Sequence, residues 1–395
     1  MNEEIVIVSA VRTPVGRYGG SLRNESSGHL ASHAIKGAVS TAGLKGDDIS
    51  EVILGEVRQT TEASNVARVA SLRAGIPESS PAYTINRLCA SGMEAIASGV
   101  QQIVFQQADI VVAGGTESMS RAPIYLRQAR FGEGAPVLVD SHKEAGQQPK
   151  EMYGPDLGMG ITAENVAERY GISREDQDLF ALESQRRAAA AAVEAGVFLD
   201  EVIPYEVKGR KGIQTIKIDE HPRPETTKEK LASLRPVFKD NGTVTAGNSC
   251  GRNDGASAVV MMTREKADEM GCVPLVKITD WAVAGVSPEV MGIGPVPAVQ
   301  KLMDRTGLSL KDIRLIELNE AFAAQALAVI RELEVDSDIV NVNGGAIALG
   351  HPVGASGTRI VTTLIHEMKR RKERYGLAAL CAGGGQGMAM LFERV

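Results

Sequence analysis

The 395-residue sequence has little of what several classes of protein require. It contains only four cysteines, and none forms a C-x-x-C pair or has a histidine at zinc-ligand spacing (Cys89, Cys250, Cys272, Cys381). No apolar run approaches the roughly 18 residues of a membrane span, and no secretory signal precedes the first predicted strand. The formal net charge of −6 argues against a nucleic-acid surface. We therefore expect a cytoplasmic protein without a metal centre, a membrane partner or a nucleic-acid partner.

Glycine, in contrast, is abundant. The 42 glycines follow no collagen-like period and are concentrated in loops. Two glycine-rich segments near the C-terminus are residues 341–357 (NVNGGAIALGHPVGASG) and residues 381–387 (CAGGGQG). Glycine permits positive φ and close approach of a ligand to the backbone. Because these segments carry His351 and Cys381, they suggest a site of cysteine-based covalent chemistry.

The chain also contains an internal duplication. Residues 43–56 (GLKGDDISEVILGE) resemble residues 307–320 (GLSLKDIRLIELNE) at an offset of 264. The CASG sequence that begins at Cys89 matches GASG at an offset of 265, and VAGG at 112–115 matches CAGG at an offset of 269. Three matches in the same order predict two related halves.

Each half reads as alternating strands and helices. Apolar runs at 5–8, 52–54 and 110–112 predict buried strands, and apolar residues at helical spacing over 93–104 and 360–368 predict helices. This alternation predicts an α/β fold with a mainly parallel sheet, whose ligands bind beyond the C-terminal ends of the strands.

Residues 122–248 have no counterpart in the other half. A capping-box signal at Ser173 predicts a helix that stops at Gly196. This insert also carries positive charge, which indicates either a solvated face or a cationic platform for a phosphorylated ligand (Lys208, Arg210, Lys211, Lys217, Arg223, Lys228, Lys230).

These motifs together resemble the thiolases, enzymes that make and break β-ketoacyl-coenzyme A. The matching segments span nearly the whole chain in family order: residues 5–14 (IVIVSAVRTP), 86–92 (NRLCASG), 114–120 (GGTESMS), 319–322 (NEAF) and the two glycine-rich loops. The resemblance implies the thiolase fold, two duplicated βαβαβαββ halves in five layers (αβαβα) with an inserted loop domain. The halves would be residues 1–121, completed by 249–271, and residues 272–395. Residues 122–248 would cover the site and bind coenzyme A.

Cys89 is predicted to lie where a strand turns into a helix that begins near Ser91. A helix N-terminus favours a thiolate, whereas an ordinary thiol with a pKa of about 8.5 is mostly protonated at neutral pH. The resemblance makes Cys89 the nucleophile that accepts the acyl group and His351 its base. A core thiol is the alternative for Cys89 alone.

The resemblance makes Cys381 the base that removes a proton from the α-carbon of an acyl thioester. It also implies two oxyanion holes, one formed by His351 with a water held by Asn319, the other by the backbone N–H groups of Cys89 and Gly383. The alternatives are a redox pair for the two cysteines and a helix cap for Asn319.

Coenzyme A contacts are carried over from the family to positions in and beside the insert (Met159, Arg223, Leu234, Phe238, Ala246). Cys250 and Lys230 stand where serines are usual, and Ser249 is a candidate to replace the hydroxyl missing at Cys250. Gly158 replaces a histidine that many short-chain members have before Met159, which weakens the case for an acetoacetyl-specific enzyme.

The preferred function is acetyl-CoA C-acetyltransferase, which condenses two acetyl-CoA to acetoacetyl-CoA through an S-acyl-cysteine. The in-class alternative is a 3-ketoacyl-CoA thiolase of β-oxidation. A ketoacyl-synthase-type condensing enzyme and a non-catalytic acyl-CoA carrier are the alternatives from other classes. We expect no cofactor, because coenzyme A is a substrate and product, and we expect a homotetramer or homodimer.

Overall fold

The computed structural model describes residues 3–132, 134–144, 146–194, 196–209 and 212–395. Arg210 and Lys211, two of the basic residues singled out above, lie outside the described residues. The predicted strands at 5–8, 52–54 and 110–112 are present within longer strands. The elements of the first segment are β1 (Ile5–Arg12), β2 (Gly16–Arg17), α1 (Ser27–Thr41), β3 (Glu51–Gly55), α2 (Val66–Ala74), β4 (Ala82–Ile85), α3 (Ser91–Val104) and β5 (Ile110–Ser118).

The insert contains two small hairpins and several helices. Its elements are β6 (Ile124–Arg127), β7 (Val137–Asp140), α4 (Ser141–Glu144), α5 (Lys150–Tyr153), α6 (Met159–Arg169), α7 (Arg174–Ala189), β8 (Tyr205–Gly209), β9 (Gly212–Ile216) and α8 (Lys228–Ala232). The Ser173 side chain and Asp176 form the predicted capping box of α7. A π-helical turn, Ala190–Glu194, extends this helix toward Gly196.

The remaining elements complete the first half and build the second. They are β10 (Asn253–Thr263), α9 (Arg264–Glu269), β11 (Val276–Gly285), α10 (Pro295–Thr306), β12 (Leu315–Leu318), α11 (Ala323–Glu332), α12 (Ala346–Leu349), α13 (Val353–Arg371), β13 (Tyr375–Ala382) and β14 (Gln386–Arg394). Short 3-10 turns lie at Gly46–Asp48, Thr61–Ala63, Met119–Arg121, Val197–Asp200, Pro288–Ile293, Leu310–Asp312 and Ser337–Ile339.

One ten-stranded sheet runs through both halves in the order β12-β13-β14-β11-β1-β10-β5-β3-β4, and β2 pairs with β10. Alternate residues of a strand face opposite sides. In β13, Ala378 and Leu380 therefore pack against the inner helices α3 and α13, whereas Leu377 and Ala379 face α10 and α11. On the first half, α1 and α2 cover the outer face. The predicted five-layer α/β fold is confirmed.

The prediction of a mainly parallel sheet is wrong. In the part of the sheet that the structure describes, only the pairs β3–β4, β3–β5 and β12–β13 are parallel, and the other strand pairs are antiparallel. Helical crossovers join parallel strands, whereas a tight turn joins antiparallel ones. The last strand of each half closes antiparallel: β14 returns from β13 through a short turn, and β10 returns from β5 after the insert.

The duplication places equivalent elements at equivalent positions. Gly43 and Gly307 end α1 and α10 with positive φ, and the 3-10 turns that follow are each closed by an aspartate. The predicted domain boundaries at 121, 248 and 271 stay a prediction. A membrane-spanning helix needs a long apolar run, and none of the helices in the described ranges has one.

Candidate active site

Cys89 lies in the turn between β4 and α3. The main-chain N–H of Leu88, a residue with a positive φ of 51°, donates to the Asn86 side chain at 2.9 Å. Ser91 begins α3, and its hydroxyl donates to the Leu88 carbonyl oxygen at 2.6 Å. These bonds hold a sharp turn, so that Cys89 precedes the N-terminus of a 14-residue helix, as the sequence predicts.

The Cys89 thiol is half-buried, and this burial decides its charge. Burial raises the pKa of the thiol to about 11, although the backbone N–H groups of Gly383 and of Cys89 itself lower it. A thiol with this pKa is protonated at neutral pH, so a nucleophilic Cys89 needs a base. The same two N–H groups are those that the family resemblance implies for one oxyanion hole.

The turn after β13 brings Gly383 to Cys89. Gly384 and Gly385 have φ of 74° and 83°, values that favour glycine. A Cβ at Gly383 would lie 3.2 Å from the Leu88 side chain, and a Cβ at Gly385 would lie 2.2 Å from the Val286 carbonyl oxygen. The turn therefore needs glycine to lie this close to Leu88 and Val286.

Cys381 is fully buried near the end of β13. It belongs to an apolar cluster against which Met159 packs (Ala163, Val244, Met291, Ala321, Phe322). Burial and the charges that Cys89 and Cys250 would carry raise the pKa of the Cys381 thiol well above its ordinary value. The Cys89 and Cys250 thiols therefore lie close enough to Cys381 to influence its pKa.

Asn319 immediately follows β12 and is fully buried. Its backbone N–H donates to the Ala379 carbonyl oxygen at 2.9 Å. Among the described residues, neither its side-chain oxygen nor its side-chain nitrogen has a hydrogen-bond partner. The helix-cap alternative is wrong, because α11 starts only at Ala323. An unpaired buried amide instead fits the predicted bound water.

His351 lies on the loop before α13 and is 5% exposed. Its backbone N–H donates to the Asn253 side chain at 2.9 Å, and its Nδ1 lies 2.6 Å from the Ser356 hydroxyl. Burial, together with the Arg359 charge, lowers the pKa of His351 to about 4. The imidazole is therefore neutral at pH 7 and able to accept a proton.

The two inner helices bring the Cys89 turn and the His351 loop to the same end of the sheet. A Cβ at Gly92 would lie 2.9 Å from the Thr358 backbone nitrogen, and one at Gly357 would lie 2.4 Å from that of Met93. Glycines thus allow the first turns of α3 and α13 to touch. Asn319 and Cys381 lie at the C-terminal ends of their parallel strands, where the sequence places the site.

Two side chains that sequence reasoning did not assign hold the His351 loop. Asn253 binds the His351 N–H and the Gly16 carbonyl oxygen. Glu117 accepts hydrogen bonds from the N–H groups of Gly354, Val57 and Arg58. Glu117 lies in the motif at residues 114–120, whereas no motif or spacing in the sequence indicates Asn253.

A second buried carboxyl lies beside Glu117. Burial, followed by the Glu117 charge, raises the pKa of Glu56 to about 8 from its usual 4.5. Because the folded state binds this proton more tightly than the unfolded chain, stability falls as pH rises from about 4.5 through about 8. We expect the free energy of unfolding of Glu56→Gln, relative to that of the wild type, to increase by up to about 1.4 kcal/mol per pH unit across this window.

Urea unfolding at about pH 5 and about pH 8 measures this difference. Glu62→Gln is the matched control, because Glu62 lies on the surface and is 56% exposed. This variant should leave the pH dependence of stability unaltered. A Glu56→Gln stability difference that does not grow with pH would mean that Glu56 is ionised in the folded protein.

A cavity of about 530 Å³ lies beside Cys250, which is part of its lining. Six of the seven predicted coenzyme A contacts line it, together with Lys230 and His221 (Arg223, Leu234, Phe238, Ala246, Ser249, Cys250). Met159 packs instead against the cluster around Cys381. The Ser249 hydroxyl already donates to the Thr245 carbonyl oxygen at 2.7 Å. His221 had not been predicted from the sequence.

The basic residues of the insert separate into two groups. Arg223 and Lys230 line the cavity, whereas Lys228 pairs with Glu175 at 2.8 Å on the surface. Among the described basic residues of the insert, the cationic-platform interpretation therefore concerns Arg223 and Lys230, whereas Lys208, Lys217 and Lys228 are exposed and belong to a solvated face.

The fold and the comparisons with known proteins define a class of enzyme, the acyltransferases. The thiolase N-terminal domain model matches residues 5–265, and the thiolase C-terminal domain model matches residues 272–394. The chain belongs to the thiolase family and is an acyltransferase.

The similarity to known proteins extends over nearly the whole chain. An acetyl-CoA acetyltransferase of Syntrophomonas wolfei is 47% identical and covers 100% of both chains. The human mitochondrial 3-ketoacyl-CoA thiolase is 46% identical over 98% of both chains. The crystal structure of the Bacillus anthracis acetyl-CoA acetyltransferase superposes with a TM-score of 0.96 at 45% identity, covering 100% of this chain and 99% of that one.

Proposed function

We propose that this thiolase is an acetyl-CoA C-acetyltransferase, and that Cys89 carries the acetyl group between two coenzyme A molecules. The observation that supports this most directly is the grouping of the Cys89 and Cys381 thiols with Cys250, which lines a cavity together with two cations. Three full-length relatives carry the name acetyl-CoA acetyltransferase, which states the same activity for those proteins.

In the first half-reaction, His351 accepts the thiol proton of Cys89 while the sulfur attacks the thioester carbonyl. The N–H groups of Cys89 and Gly383 stabilise the oxyanion. The carbon–sulfur bond to coenzyme A then breaks, and the departing thiolate takes the proton from His351. This leaves an acetyl group on Cys89 and a neutral imidazole.

In the second half-reaction, the Cys381 thiolate removes a proton from the methyl group of a second acetyl-CoA. His351 and a water held by Asn319 stabilise the enolate oxygen, and the carbanion attacks the acetyl carbonyl on Cys89. The carbon–sulfur bond to Cys89 then breaks, and the departing Cys89 thiolate takes the proton that Cys381 had removed, which restores the Cys89 thiol and the Cys381 thiolate. The raised pKa of Cys381 suits this exchange, because it makes the thiolate a strong base. It also keeps the thiol protonated for the reverse reaction, in which Cys381 returns a proton to the leaving enolate.

We assign coenzyme A to the cavity that Cys250 lines. Arg223 and Lys230 would meet the charged nucleotide, and the apolar lining would contact pantetheine (Leu234, Phe238, Ala246). Because the Ser249 hydroxyl already donates to the Thr245 carbonyl oxygen, the Cys250 thiol, which also lines the cavity, is our candidate for the contact usually made by a serine. The reaction as written needs no cofactor.

Met159 is proposed to limit the acyl chain. It packs against the cluster that surrounds Cys381, where an acyl chain longer than acetyl would extend. We expect kcat/KM for thiolysis to fall from four- to six- and eight-carbon 3-ketoacyl-CoA, because overpacking costs roughly 1–3 kcal/mol. Met159→Ala should relieve part of this fall, since each further buried methylene contributes about 0.8 kcal/mol.

Met152→Ala is the matched control, because Met152 lies in the same insert but is 71% exposed. If the wild type prefers eight carbons, the proposed acetyltransferase activity is wrong, and the protein is a 3-ketoacyl-CoA thiolase of β-oxidation instead. The 46% identical human relative is named a 3-ketoacyl-CoA thiolase.

We further propose a homodimer or homotetramer in the cytoplasm. The hairpin of β6 and β7 exposes apolar side chains that association would bury (Ile124, Leu126, Val137, Leu138). The net charge of −6 supports the proposal that neither nucleic acid nor an anionic membrane is a partner.

A further inference from the structure

Gln185 lies in α7, where its side chain joins two loops of the site. It is 6% exposed and lines the cavity assigned to coenzyme A. Its Oε1 atom accepts from the Arg223 backbone N–H at 2.8 Å, and its Nε2 atom donates to the Ile347 carbonyl oxygen at 3.3 Å. A backbone N–H only donates and a carbonyl oxygen only accepts, so the amide has a single orientation. Gln185 therefore connects the Arg223 loop of the insert with α12, the short helix that precedes His351.

The contacts of Ile347 continue to the residues around Asn319. The Ile347 backbone N–H donates to the carboxyl group of Glu320 at 3.1 Å, and Glu320 directly follows Asn319. Ser184 in α7 donates to the same carboxyl group at 2.7 Å and accepts from the Gly345 N–H at 3.1 Å. Two adjacent side chains of α7 therefore hold the glycine-rich loop that begins at residue 341.

The Arg223 loop depends on Gln185 at its other end. Upstream, the Asp219 carboxylate holds the loop by accepting two hydrogen bonds from the buried Arg12 guanidinium, at 2.7 and 2.9 Å. Downstream, the Thr226 hydroxyl donates to the Arg223 carbonyl oxygen, a contact within the loop itself. In the described part of the chain, Gln185 is the one side chain from another element that bonds to the Arg223 backbone. The position of Arg223 in the cavity therefore depends on this amide.

We propose that Gln185 is a positioning residue that couples the coenzyme A cavity to the loop that carries His351. The proposal rests on the proposed function. Coenzyme A bound against Arg223 restricts the motion of the Arg223 loop, and the Gln185 amide transmits this restriction to Ile347 and α12. Because a contact that is fixed at one end leaves less freedom at the other, a filled cavity holds His351 more firmly than an empty one.

The variants Gln185→Glu and Gln185→Leu separate the two hydrogen bonds. A carboxylate still accepts from the Arg223 N–H but cannot donate to Ile347, whereas leucine makes neither bond. In thiolysis of acetoacetyl-CoA at about pH 8, we expect Gln185→Glu to lower kcat about 10- to 100-fold, with KM for coenzyme A within about threefold of wild type. Gln185→Leu should lower kcat as far and also raise KM about 10-fold.

The pH dependence of Gln185→Glu is a signature that a general structural defect would not produce. Burial raises the pKa of a carboxyl group, and the protonated form carries an O–H that can donate to Ile347. The ratio of its kcat to that of the wild type should therefore rise as pH falls from about 8 to about 6. The same ratio for Gln185→Leu should stay constant, because leucine has no proton to gain.

Gln177→Glu is the matched control. Gln177 is also buried in α7, but its amide donates to the Ile172 carbonyl oxygen and the Thr243 hydroxyl rather than to either loop. This variant should keep the wild-type kcat and KM. Gln185→Glu with kcat within about twofold of wild type at pH 8, or with a kcat ratio that does not change with pH, overturns the proposal.

Hydrogen–deuterium exchange of the wild-type enzyme tests the proposal even if no variant folds. Within the described lining of the cavity, no residue comes from 341–345. Coenzyme A should nevertheless slow the exchange of backbone amides across 341–351, because α7 and Ile347 hold this segment. Slowing that is confined to the residues lining the cavity overturns the proposal. A wild type that binds coenzyme A but does not thiolyse acetoacetyl-CoA would instead overturn the proposed function, whatever the exchange pattern.

Discussion

Replacement of Cys89 by alanine is expected to lower kcat/KM for thiolysis of acetoacetyl-CoA by at least about 10⁴-fold. The variant keeps the cavity, Cys381 and both groups of oxyanion donors, but it has no sulfur to accept the acyl group. Binding of coenzyme A, measured by calorimetry, should stay close to wild type. Loss of activity with retained binding is the signature of a missing nucleophile.

Cys272→Ala is the control for this variant. Cys272 lies in the outer core of the first half, where its thiol faces the Ala42 carbonyl oxygen at 3.4 Å. We expect it to keep wild-type activity. If Cys89→Ala still turned over at a tenth of the wild-type rate or more, covalent catalysis through Cys89 would be excluded.

Cys381→Ala is expected to separate the two half-reactions. Acylation at Cys89 should survive, because its nucleophile, its base and the Gly383 N–H remain in place. Condensation, and exchange of solvent deuterium into the methyl group of acetyl-CoA, should fall about 10²- to 10⁴-fold, since the base for the α-carbon is gone. Mass spectrometry of the methyl group and of the acyl-enzyme measures both reactions in one sample.

The acylation reaction serves as the internal control for folding in that variant. Deuterium exchange that continues at the wild-type rate while Cys381 is absent would assign the proton transfer to another group. Loss of acylation together with exchange would mean that Cys381 supports the Cys89 turn rather than acting as a base.

The strands, the duplication and the helix at Ser173 could be predicted because each depends on local pattern. Apolar runs such as 110–112 identify strands buried on both faces, and repeated segments identify the two halves. Strand direction could not be read in this way. Whether β10 and β14 run parallel or antiparallel depends on the connections before them, and the long insert conceals one of those connections.

The catalytic positions could be predicted because they stand in long motifs, but their physical environment could not. The buried, unpaired amide of Asn319 and the raised pKa of Glu56 depend on neighbours far away in the sequence. Asn253 is an example of the same limit. It fixes the His351 loop from a strand 98 residues earlier, and no periodicity or spacing indicates it.

The central claim is that Cys89 carries the acyl group, and peptide mapping after incubation with radiolabelled acetyl-CoA tests it most directly. The reaction is quenched in acid to preserve the thioester, and the digest separates the four cysteines into different peptides. The account predicts label on the peptide that contains Cys89, and none in Cys89→Ala. Label on Cys250 or Cys272 instead, or no covalent label at all in an active enzyme, would contradict it.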